Sequence, residues 1–284
     1  MASVPARNHT TIVYPLTAIV AIGLGFMPTD IAILLAGILI ALLGIPHGSL
    51  DLHLMSTRAQ RLRELAIYIV CIALVLGIWL VQPTLMLALF LINSAWHFGD
   101  CDIRSTTRIK PLLALVYGTS ILIVLIDLHD PSVGRILQTL LGYSVDTSMV
   151  AQYGLIRLVA AALVIGVPLV GSDTQPARSV IHSMLILAVS LLAPSLIAFA
   201  WYFVVVHSWS SMNALRYHID DAHPWSWRRL IIAASPLTLL TFVGIGIGYV
   251  MFPSLNILAM LFIALSALTV PHTRLFHRVY ASDS

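Results

Sequence analysis

Charge is what this sequence has least of. Only 10% of its 284 residues are charged and 59% are hydrophobic, whereas a soluble domain carries roughly 25% charge. Too few polar side chains remain to cover a water-facing surface, which excludes a soluble enzyme. Lysine and glutamate are almost missing, with Lys110 and Glu64 the sole examples. Two cysteines, Cys71 and Cys101, cannot build a disulfide framework. The basic balance (pI ≈ 9.0) does not point to nucleic acid, because most of the arginines fall between apolar runs, where loops meet anionic lipid headgroups.

What is abundant is apolar sequence and, unexpectedly, histidine. Ten apolar runs are separated by Pro, Gly or charge clusters, at about 11–27, 31–47, 65–81, 84–98, 111–128, 155–170, 180–193, 195–212, 229–250 and 256–272. Several fall short of the roughly 20 residues that a straight span needs, so eight to ten spans is the expected range. The first run follows Arg7 but has no small-x-small cleavage site after it, so it reads as a retained helix. No repeat or low-complexity tract interrupts the pattern. The expected fold is all-α, a polytopic membrane bundle in a single domain over residues 1–284.

Basic residues give the expected orientation. With a cytoplasmic N-terminus, one side carries Arg7, Arg58, Arg61, Arg63, Arg104, Arg108, Lys110, Arg178, Arg216, Arg228, Arg229, Arg274 and Arg278. The other carries only Arg135 and Arg157. This bias predicts a multi-pass protein of the cytoplasmic membrane with both termini inside.

Eleven histidines nearly equal the twelve acids. His47, His97, His207 and His272 lie towards the cytoplasmic ends of even-numbered spans. Polar residues at that depth face the bundle interior, a partner or a cavity. Four imidazoles in one layer suit a borderline transition metal such as iron, zinc or copper rather than a hard cation. Bound to an octahedral ion, they would leave two positions open. The plainer reading of any single one is a hydrogen-bonded packing residue or an interfacial anchor. His9, His129, His182, His223 and His277 read as loop or interface residues, with His53 and His218 intermediate. In GIPHGSLD, Asp51 lies four residues after His47 and shares its face if the helix continues, so it is a candidate to orient an imidazole from behind. Gly44, Pro46 and Gly48 predict a broken helix end there. After His97 come Asp100, read as solvated loop charge, and Asp102.

These segments resemble the Brp/Blh family of membrane β-carotene 15,15′-dioxygenases. The matching stretches are GIPHGSLD (44–51), the HFG-x-x-D of His97 to Asp102, the HS pair at His207–Ser208 and ALTVPH at 267–272. The resemblance implies a polytopic helical protein with a histidine-held, non-haem iron(II) centre. It also implies cleavage of the central double bond of β-carotene by O2 into two molecules of retinal. The family's ligands carry over to His47, His97 and His207. Its next ligand, four residues after the third, is replaced here by Ser211, a poor neutral ligand. His272 is the preferred fourth nitrogen, and three histidines completed by water is the alternative. His218 is excluded as a replacement, since eleven residues of helix span about 16 Å. Asp51, Asp102 and Ser211 are the candidate supporting residues around the metal. Trp96, Phe98, Trp201, Tyr202, Phe203 and Trp209 are candidates to line an apolar tunnel for a carotenoid arriving from the bilayer.

Other readings are weaker. A di-iron desaturase or hydroxylase needs HxxxH or HxxHH boxes, and the chain contains none. A rhodopsin needs an intramembrane lysine, and Lys110 falls in an expected loop. Lycopene cyclisation needs a buried acid, and Glu64 also falls in an expected loop. Metal transport lacks matching inverted halves. A non-catalytic carotenoid-binding relative remains an alternative because of Ser211.

Overall fold

The computed structural model describes residues 9–55, 57–103, 107–144, 153–171, 176–218 and 224–281. Arg7, Arg104 and His223 lie outside these residues, as do the side chains of His9, Arg178, His218 and Arg278. The described secondary structure is helical throughout, and each of the ten apolar runs is helical. Six stretches are long and apolar enough to cross a membrane: Thr29–Leu54, Arg58–Val81, Tyr153–Gly171, Ser195–Tyr217, Trp227–Met251 and Ile257–His277. Three shorter apolar helices, Ile12–Leu24, Lys110–Leu125 and Ser179–Leu192, accompany them. Large aliphatic side chains such as Leu80, Leu158, Leu191 and Val250 are more than half exposed. Such surfaces aggregate in water but are solvated by lipid, and the chain is a polytopic helical membrane protein.

The chain divides into two compact units. One comprises residues 39–90 and 208–284. It contains α3 (Ile45–Gly48), α4 (Arg58–Val81), α11 (Trp209–His218), α12 (Trp227–Met251) and α13 (Ile257–Ala281). Helix α13 packs mainly on α4 and α12, and α12 also packs on α3. Leu50, Met212, Leu215, Leu230 and Ala234 form one core cluster, and Met55, Tyr68 and Leu275 another. Helix α4 begins earlier than the apolar run because Thr57 and Gln60 form a reciprocal capping box ahead of Arg58. Glu64 is therefore helical and buried, at 1% exposure, not a loop residue as expected from sequence.

The other unit comprises residues 7–38 and 91–207. It contains α1 (His9–Leu24), α6 (Lys110–Leu125), α7 (Pro131–Leu141), α8 (Tyr153–Gly171), α9 (Pro176–Leu192) and α10 (Ser195–Trp201). Helices α2 (Thr29–Leu39) and α5 (Pro83–Asp102) lie mostly within it. Helix α6 packs chiefly against α8, and α1 against α9 and α10. Helix α5 meets α6 through backbone contact. A Cβ on Gly99 would fall 1.7 Å from the Ala114 carbonyl oxygen, and one on Gly118 1.8 Å from that of Ala95. Small residues permit such an approach between membrane helices. Helix α7, which hydropathy did not single out, is a short amphipathic segment burying Ser132, Val133, Ile136 and Leu140. Asp130 caps it, accepting from the Ser132 N–H at 2.9 Å and the Ser132 hydroxyl at 2.7 Å, and from the Ser195 N–H at 2.9 Å. Burial pushes the Asp130 carboxyl up, but these hydrogen bonds outweigh it and hold the group below the usual carboxylate range.

A candidate metal centre

Two of the site's segments are built on widened helical turns. Pro46 has no N–H to donate, and its ring would collide with a carbonyl one regular turn earlier. The chain relieves this with a π-helical turn over Ile40–Gly44, closed by the Ile45 N–H donating to the Ile40 carbonyl. Helix α3 then lasts only four residues and gives way, after Ser49 and Leu50, to a 3-10 turn over Asp51–Leu54. A second π-helical segment, Tyr202–Ser208, follows α10 and carries His207. Such insertions shift which side chains share a face and recur at functional sites.

His47 and His272 form the first pair, with ring centroids 4.8 Å apart and planes at 82°. The Nδ1 of His272 donates to Asp51 Oδ2 at 2.8 Å, and Asp51 also accepts from the Tyr68 hydroxyl. The Nδ1 of His47 donates to the Gly44 carbonyl, with the Ser208 hydroxyl 3.3 Å away. Carboxylate and carbonyl oxygens can only accept. Both contacts therefore place the proton on Nδ1 and turn the Nε2 lone pair outward, the form in which histidine binds a metal. The sequence suggested Asp51 as a partner of His47. Because α3 ends at Gly48, its carboxylate instead reaches His272 on α13. Around this pair, Thr238 of α12 donates to the Ser49 hydroxyl at 3.0 Å. Arg274, two residues after His272, meets the buried Glu64 at 2.7 Å.

His97 and His207 form the second pair, 4.9 Å apart with planes at 77°. Their surroundings are rings. Phe98 meets His207 edge to face at 4.8 Å, and Phe203 lies nearly parallel to it at 5.9 Å, at 13°. Phe199 stacks behind Phe203 at 5.8 Å. One helical turn beyond His97, the Cys101 sulfur lies 3.9 Å from its Nδ1. Helix α5 continues past His97 to Asp102, so His97 is not a terminal residue. Asp100, expected as solvated loop charge, lies within α5 and pairs with Lys110 at 3.0 Å. Lys110 itself starts α6 rather than sitting in a loop.

His47 and His272 lie in one unit and His97 and His207 in the other, each pair with its rings less than 5 Å apart. All four side chains are buried, His47 being the most open at 9%. Buried imidazoles with a free ring nitrogen lone pair are common metal ligands. A donor set of four neutral nitrogens fits a borderline transition metal and does not suit calcium or magnesium.

The other sequence candidates scatter. Asp102 accepts from the Tyr202 hydroxyl at 2.8 Å. Phe98 and Phe203 lie on the His207 ring, while Trp201 donates its indole N–H to Thr17 at 3.1 Å. Trp96 is half-buried in α5. Trp209 is 44% exposed and stacks on Trp227 at 4.3 Å. Ser211 is half-buried in α11, four residues after His207. His182, expected in a loop or at an interface, lies in α9 with its ring 4.7 Å from Tyr14. His277 is likewise helical, in α13. His53, in the 3-10 turn, faces Trp225 at 5.9 Å. Tyr68 was missed because it sits inside an apolar run. The available signal was its spacing of four from the single glutamate, which puts both polar groups on one face of α4.

Known proteins resemble the chain along nearly all its length. A family model described as beta-carotene 15,15'-dioxygenase matches residues 38–280. A beta-carotene 15,15'-dioxygenase from the uncultured marine bacterium 66A03 is 25% identical over 263 residues, covering 87% of this chain and 93% of that one. No solved structure matches.

Proposed function

Because the chain belongs to the β-carotene 15,15′-dioxygenase family, we propose that it cleaves the central 15,15′ double bond of β-carotene with O2 to give two molecules of retinal. The cofactor in this reading is iron(II), held by His47, His97, His207 and His272. The observation that carries it is the two close pairs of buried histidines, His47 with His272 and His97 with His207, in a chain of this family. Atoms balance without a further reductant: one carbon–carbon double bond breaks, and each oxygen atom of O2 ends in one aldehyde. Bound iron(II) supplies the redox chemistry that lets triplet O2 react with a closed-shell polyene.

The protein's own work is to position and to exclude. Asp51 and the Gly44 carbonyl fix the imidazoles of His272 and His47 with Nε2 directed outward. Burial keeps bulk water from the site. Phe98 and Phe203 place ring faces and edges against His207, an apolar surface suited to a substrate with no polar handle. The hydrocarbon arrives from the bilayer, and the arginine bias sets the metal layer towards the cytoplasmic side with both termini inside. His272 supplies the nitrogen that Ser211 cannot.

Expression in a β-carotene-producing host, with retinal measured by chromatography, tests the reading. Wild type yields retinal, and His47→Ala and His97→Ala do not. Unchanged carotene with a folded, iron-loaded wild type sinks the activity, and equal retinal in wild type and variants sinks the site. Bound pigment with neither iron nor product would identify a carotenoid-binding relative instead.

A further inference from the structure

Helix α4 offers two polar side chains to the segment that carries His272. Glu64 and Tyr68 are four residues apart and so lie one above the other on the same face. Both are buried, at 1% and 8% exposure. Glu64 holds Arg274, and Tyr68 holds Asp51, which in turn holds His272. A carboxylate has two oxygens and several acceptor directions. With only an imidazole to bind, Asp51 would rotate and the ring with it. The Tyr68 hydroxyl removes that freedom by occupying the same Oδ2 that His272 contacts.

We infer that Tyr68 is a positioning residue for the metal: through Asp51 it fixes the His272 ring and its Nδ1–H tautomer, which makes His272 a ligand in this chain. This deepens the proposed function and rests on its metal site. The support is a continuous chain of contacts, from Tyr68 through Asp51 to His272. It also fits the loss of a histidine at Ser211. A ligand donated from α13 needs its own orienting partner, and α4 supplies one. Removing an outer contact of this kind typically alters metal affinity by about 10–100-fold.

The experiment compares wild type, Tyr68→Phe and Asp51→Asn as full-length protein in detergent, with Tyr249→Phe on the exposed face of α12 as control. Cobalt(II) is titrated into metal-free protein and followed by its visible ligand-field spectrum. In parallel, imidazole 15N NMR reads the His272 tautomer without metal. Tyr68→Phe should weaken cobalt binding about tenfold and shift the ligand-field bands, with Asp51→Asn at least as severe. Both should release His272 from a single Nδ1–H tautomer, while Tyr249→Phe changes nothing. Melting temperatures identify a variant that has simply failed to fold, and the conservative Tyr68→Phe and Asp51→Asn guard against that outcome independently. If wild type binds cobalt and Tyr68→Phe matches it in affinity, spectrum and tautomer, the inference is overturned while the metal site stands. If folded wild type takes up no cobalt, the metal reading itself fails and the role of Tyr68 fails with it.

Discussion

His47 and His272 are held by hydrogen bonds from a carbonyl, a hydroxyl and a carboxylate, whereas His97 and His207 are held by packed rings and a close helix contact. The difference follows from the local chain. Pro46 forces a widened turn and a short helix, which leaves polar backbone and the Asp51 side chain near the first pair. The second pair sits on α5 and on a π-helical segment after α10, among the aromatic side chains Phe98 and Phe203. Hydrogen bonds fix direction and tautomer, while ring packing fixes position and keeps the surroundings apolar.

The comparison can be broken from the packed side first. Gly99→Ala should prevent the unit around α5 and α6 from folding, because the new Cβ would meet backbone at 1.7 Å and backbone cannot rotate away. The readout is loss of monodisperse protein in size-exclusion chromatography, and a normal yield would refute the close contact. Phe203→Ala removes a ring packed on His207 and should cost about 3 kcal/mol by chemical denaturation in detergent. On the polar side, Arg274→Ala removes the guanidinium that meets the buried Glu64. It should cost about 3 kcal/mol, the low end for a buried pair because the guanidinium is partly open.

A subtler test sharpens the difference between the pairs. If His272 already supplies the fourth nitrogen, Ser211→His should leave metal content within about twofold of wild type, and His272→Ala should reduce it by about tenfold or more. Metal analysis on purified protein decides between these outcomes. The smallest effect belongs to the cap of α7, remote from both pairs in sequence. Its Asp130 has a lowered folded-state pKa, so its contribution to stability is present above the ordinary carboxylate range of about 3.9 and is lost as pH falls through the folded value. Thermal melts between pH 2 and 5 should show this loss, and Asp130→Asn should flatten it.

Much of the site was readable because each histidine is polar in an apolar setting, where its cost marks it. The ten apolar runs likewise announced ten helical stretches, since lipid leaves the backbone little choice but to satisfy itself within the segment. Asp51 was legible as a supporting carboxylate but not its partner, since that depended on where α3 stopped. Asp100 and Glu64 read as loop charges because their ion-pair partners, Lys110 and Arg274, are distant in sequence or on another helix. Tyr68 gave no sequence signal beyond its spacing from Glu64.

The scarcity of charge by itself determined that this chain is a membrane-spanning helical protein, and the position of four histidines within apolar runs marked them as candidate ligands. Those are properties of composition and period, which act locally and need no knowledge of neighbours. Tertiary structure alone decided that Asp51 serves His272, that Glu64 is a buried partner of Arg274, and that Trp209 stacks on Trp227. Each of these depends on direction: where a helix ends, which face a turn presents, and what lies opposite. A sequence fixes the cost of burying a polar group, but only the fold supplies the partner that offsets it.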